Sequence, residues 1–181
     1  SSRAYDPLIS ALSASFNTLA IHNRSGENAG SPVHVDIFPK IAGLKVVSTA
    51  KTVASGKPAK LNVRTVSSDQ GTNVLVSGSM AIDDDPRYVY RKVWQTWEAF
   101  GGAVMALFDE AGISLDGKVV HEKVPAEVLA RGAMYDFISD PLSKFIENMF
   151  KYSSNFAAEM LFKTIAVNDT TAGSWGRASD D

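Results

Sequence analysis

Two apolar helical repeats on either side of a short polar break constrain this chain more than any other feature. Leu142, Phe145, Ile146, Met149 and Phe150 fall at i, i+3, i+4, i+7 and i+8, which lines them up on one face of a helix. Phe156, Met160, Leu161 and Ile165 continue with the same period. Tyr152, Ser153, Ser154 and Asn155 are therefore the corner between two helices. Asp140-Pro141 predicts the start of the first, a capping carboxylate ahead of a proline whose missing N–H costs nothing there. The corner itself has two readings. One of Ser153, Ser154 and Asn155 caps the unpaired N–H groups of the second helix, or the side chains serve a site. No Glu or Gln follows either serine by three residues, so the reciprocal capping box is absent, which leaves room for at least one of them to act elsewhere.

The first half reads as strands. Residues 10–24 carry β-prone pieces that end in a loop over 25–32, and Val33, Val35 and Ile37 alternate with His34 and Asp36 until Pro39. Residues 44–53 are Val/Thr-rich and predict another strand. Leu61, Val63 and Thr65 alternate with Asn62 and Arg64, and with Val74 and Val76 they predict a hairpin turning at residues 67–71. Asp83-Asp84-Asp85-Pro86 reads as a turn and helix N-cap rather than a cation site, because no spaced ligand pattern accompanies the aspartates. The helix expected after it carries Val89, Val93, Trp97, Phe100, Val104, Leu107, Phe108 and Ala111 on one face and ends at Gly112. Trp94 and Trp97 could stack on sugars, but Trp97 at this period reads as core. Gly101-Gly102 in mid-helix costs about 1 kcal/mol per residue against Ala, which points to a close packing partner. Residues 118–123 predict a short strand, 124–130 a connection, 134–138 an apolar stretch and 168–173 a loop. The fold class is α+β, with a β-rich module over residues 1–87 and a helical part over 88–181.

Composition removes several functions. With 181 residues the chain buries a real core, and 45% apolar and 21% charged residues are ordinary values for a globular protein. A formal net charge of -2 without a basic cluster gives no footprint for nucleic acid or an anionic membrane. The absence of cysteine excludes disulfides, thiolate metal sites and cysteine nucleophiles. His22, His34 and His121 share no ligand spacing. No apolar run approaches the roughly 18 residues of a membrane span. A start at Ser1-Ser2-Arg3 without a signal peptide reads as a mature or trimmed chain.

Lys151-Tyr152-Ser153-Ser154-Asn155, followed by residues 156–161, resembles the Ser-x-Asn motif of serine-type D-alanyl-D-alanine carboxypeptidases. The chain is most similar to the class C low-molecular-mass penicillin-binding proteins. Residues 6–8 through 16–18, Val76-Ser77-Gly78-Ser79, Glu110-Ala111-Gly112-Ile113 and Gly173-Ser174-Trp175 resemble stretches of that family in the same order, so the likeness covers nearly the whole chain.

The resemblance implies β-rich inserted segments followed by part of a transpeptidase (β-lactamase-like) domain. Ser153 is then expected to hydrogen-bond the nucleophilic machinery and help pass a proton to the leaving group, and Asn155 to hold a substrate amide. The family also needs Ser-x-x-Lys, in which the amine lies one helical turn from the hydroxyl it deprotonates. Ser48-Thr49-Ala50-Lys51 has that spacing but lies in a predicted strand, where i and i+3 point to opposite faces. Lys163-Thr164-Ile165 departs from Lys-Thr-Gly at its third residue and lies on a predicted helix. The resemblance therefore places both partner motifs outside residues 1–181. It implies peptidoglycan stem peptides and β-lactams as partners of the complete protein, together with the remainder of its own domain. It also implies no metal or organic cofactor and a periplasmic or extracytoplasmic location. The other reading is a non-catalytic, cell-wall-associated interaction module on the same scaffold.

Overall fold

The structure is a computed structural model that describes residues 3–69, 71–132, 136–165, 167 and 173–180. Residues 134–135 of the expected apolar stretch and 168–172 of the expected loop lie outside the described residues.

Among the described residues, a 3-10 turn (Ser15–Asn17) leads into seven strands: β1 (Thr18–Arg24), β2 (His34–Phe38), β3 (Lys45–Ser48), β4 (Lys51–Val53), β5 (Leu61–Ser68), β6 (Gly71–Ala81) and β7 (Arg87–Lys92). Five helices follow: α1 (Thr96–Glu110), α2 (Ala126–Leu129), α3 (Leu142–Tyr152), α4 (Asn155–Ile165) and α5 (Trp175–Asp180). The chain forms two compact units, Ser1–Val119 and Val120–Asp181.

In the first unit one sheet runs β2-β1-β7, antiparallel throughout. The other is centred on β6, which pairs antiparallel with β5 on one edge and parallel with β3 and then β4 on the other. Strict alternation sets the faces. Leu19, Ile21 and Asn23 of β1 point inward while Ala20 and His22 point out, and Val63, Val74, Val76 and Met80 meet them in one core. Thr65 closes the gap between the sheets by donating its hydroxyl to Lys92 O at 2.7 Å. The expected strand over 44–53 is two short strands, each parallel to β6.

Several expectations are corrected here. Residues 87–92 are a strand on β1, and the helix opens only at Thr96. Asp84 accepts a hydrogen bond from Ala81 N–H and pairs with Arg87, so the aspartates make a turn into a strand. Val89 and Val93 satisfy an i, i+4 helical spacing and also a period of two, and burial of alternate residues against β1 decides the matter. Residues 118–123 form no strand.

The mid-helix glycines have the close partners their cost predicts. A Cβ on Gly102 would stand 2.8 Å from Ala42 O, and one on Gly101 would stand 2.4 Å from a Val119 methyl. Ala42 N–H also donates to Gly102 O at 2.9 Å, which ties residues 39–44 to α1. Gly112, at φ +73°, closes α1.

Candidate active-site corner

The second unit places the polar break between α3 and α4. Ser153 takes a left-handed conformation, φ 49° and ψ 47°. Its N–H donates to Phe150 O at 3.4 Å, and Ser154 N–H donates to Met149 O at 3.0 Å, the paired bonds that close a helix in a Schellman motif. Glycine is the usual residue there, because a Cβ disfavours this conformation by about 1–2 kcal/mol. Ser154 then starts the next helix: its Oγ accepts from Ala157 N–H at 3.2 Å and its carbonyl from Ala158 N–H at 3.0 Å. Asn155 is the first residue of α4. Asp140 does not cap α3, whose entry residue is Pro141 without a side-chain cap.

Ser154 is thus a cap of α4. Ser154, half-buried, satisfies the helix end, while Ser153 and Asn155 on either side are exposed. No hydrogen bond holds Ser153 Oγ among the described residues. Lys151 Nζ lies over the Tyr152 ring, 5.5 Å from its centroid.

Behind the corner, α4 is pinned to α5. Trp175 Nε1 donates to Glu159 Oε1 at 3.0 Å, Lys163 pairs with the same oxygen at 3.0 Å, and the Phe162 and Trp175 rings lie 4.7 Å apart. A Cβ on Gly173 would fall 1.9 Å from Lys163 O, so this junction requires glycine. Glu159 was not singled out in the sequence. A lone glutamate on a helix carries no signal of its role until Trp175, sixteen residues on, is folded back onto it.

The other motif-like stretches are structural. Ser48 closes β3 and Lys51 opens β4, on extended backbone rather than one helical turn apart. Lys163 and Thr164 lie on α4, Lys163 paired with Glu159 and Thr164 donating to Met160 O at 2.7 Å. His22 stacks on Tyr88 at 4.4 Å. No cluster of three or more metal-ligating side chains occurs among the described residues, and none of their helices is long and apolar enough to cross a membrane.

Comparison with known proteins agrees with the order of strands followed by helices. The model of the D-Ala-D-Ala carboxypeptidase 3 (S13) family matches residues 1–181. The chain belongs to this family. A D-alanyl-D-alanine carboxypeptidase of Actinomadura sp. (strain R39) is 29% identical over 147 residues, 81% of this chain and 27% of that protein. Two crystal structures of penicillin binding protein 4 (dacB) from Haemophilus influenzae share the fold. One matches with a TM-score of 0.71 at 18% identity over 99% of this chain and 39% of that one. The other, complexed with a novel β-lactam, matches with a TM-score of 0.66 at 20% identity over 93% of this chain and 37% of that one. The S13 chain described here thus spans well under half the length of these relatives, and its architecture is the α+β arrangement of strands followed by helices that they share.

Proposed function

We propose that this chain is the Ser-x-Asn-bearing segment of a serine D-Ala-D-Ala carboxypeptidase or endopeptidase that trims peptidoglycan stem peptides through an acyl-enzyme in the extracytoplasmic space. The observation that carries the reading is the build of the corner: Ser154 Oγ caps α4, Ser153 stands beside it exposed and left-handed, and exposed Asn155 opens the helix. The family membership of the whole chain supports it.

In this proposal Ser153 Oγ hydrogen-bonds the reacting groups and passes a proton to the leaving amine, a contribution of about 100- to 10,000-fold in rate. The Asn155 amide, at the start of α4, holds a substrate amide in line. Neither residue is a nucleophile, and no metal or organic cofactor takes part in the proposed chemistry. The nucleophile, its lysine and the strand that binds the substrate carboxylate come from polypeptide outside residues 1–181. β-Lactams acylate the same complete site.

The test is D-Ala release by the complete protein. Ser153→Ala is expected to lower kcat, and Asn155→Ala to raise KM as well as slow turnover. Unchanged release in both variants would overturn the assignment. Residues 1–181 alone are expected to take up no fluorescent penicillin, and acylation mapped to Ser48 would show that the Ser-x-x-Lys of β3 and β4 is functional after all.

A further inference from the structure

The wall of the first unit is zipped at one end and open at the other. Residues 31–33 pair antiparallel with the start of β4: Val33 N–H donates to Ala50 O at 3.1 Å, Pro32 bridges Lys51, and Thr52 N–H donates to Ser31 O at 2.8 Å. The same register continued would set Val35 against Ser48 and Ile37 against Val46. It does not continue. Among the described residues β2 pairs only with β1, and β3 only with β6.

Strand geometry fixes what faces the opening. Val33 points its backbone groups toward β4, so Val35 and Ile37, two and four residues on, point theirs the same way. Thr49 N–H donates to β6 at Val76 O, so Val46 and Ser48 turn their N–H and C=O groups away from β6 and into the opening. Two bare strand edges therefore confront each other.

The space between them is a cavity of about 620 Å³ lined by Val35, Ile37, Leu44, Val46, Met105 and Ile113, far larger than the roughly 30 Å³ a water occupies. Val46 shows what is missing. It sits on the core side of β3, level with Val74, yet it is 42% exposed where Val74 is 0% exposed. At the zipped end Val33 and Ala50 are buried.

We infer that this seam receives one extended strand of about four or five residues, apolar at alternate positions, donated by polypeptide beyond residues 1–181. A lone inserted strand can hydrogen-bond to both edges at once and turn every second side chain onto Val35, Ile37 and Val46. A second copy of this chain, joined edge to edge, would cover one edge and leave the other and the cavity open. Similar proteins carry the necessary chain, since this one spans 27% of the curated relative and 37–39% of the solved structures. The inference does not depend on the roles of Ser153 and Asn155.

Amide hydrogen exchange on the unsubstituted complete protein tests it first. Val35, Ile37, Val46 and Ser48, like Val33 at the zipped end, are expected to exchange at least about 100-fold more slowly than unstructured peptide. The donor is then identified by Val46→p-benzoylphenylalanine photo-crosslinking and mass spectrometry. The expected product is intramolecular and joins residue 46 to a segment outside residues 1–181. Free exchange at the four amides, crosslinks confined to residues 1–181, or crosslinked dimers would each overturn the inference.

Discussion

The two units bury their apolar residues very differently. In the first, Leu19, Ile21, Val74 and Met80 are sealed from solvent between two sheets. In the second, α3 presents a full apolar stripe of which Leu142, Phe145 and Phe150 are exposed, Phe150 to 74%, and among the described residues only Ala157 and Ala178 are buried. Strands paired side by side make a core from short alternating segments. Its described helices, of 4, 11, 11 and 6 residues, make mainly a framework, tied together where α4 meets α5 and at the corner. The catalytic geometry proposed for Ser153 and Asn155 therefore rests on capping and backbone contacts rather than on a deep core.

The largest expected effect sharpens that contrast. Ile21→Ala removes a fully buried side chain and is expected to cost about 2–5 kcal/mol, whereas Phe150→Ala in residues 1–181 should cost under about 0.5 kcal/mol. Urea denaturation of the two variants measures both, and equal losses would break the comparison. Gly173→Ala comes next. Its Cβ would collide with Lys163 O, and a cost of about 1–3 kcal/mol should appear as loss of protection in α4 and α5 alone. Ser154→Ala follows, with an expected cost of about 1 kcal/mol from the loss of the cap on Ala157 N–H.

Much of this was legible in the sequence, and the failures have a common cause. The 3.6-residue period of α3, the polar break after it, the hairpin of β5 and β6 and the close partner at Gly102 all follow from residues near one another in the chain. The strand at residues 87–92 did not, because Asp85-Pro86 and the spacing of Val89 and Val93 suit a helix equally well until β1 lies alongside. At the corner the sequence left three candidates for the cap, and the left-handed turn at Ser153 brings Ser154 Oγ onto Ala157 N–H. The seam was invisible, since nothing in residues 33–38 or 45–50 announces that two strands pair at one end and part at the other.

The central claim is that Ser153 is at this corner for chemistry and not for the fold, and Ser153→Gly in the complete protein tests it most directly. Glycine suits φ 49° better than serine, so the melting temperature should hold or rise. D-Ala release should nevertheless fall by about 100- to 10,000-fold. Release within twofold of the parent protein, with the fold intact, would contradict the account.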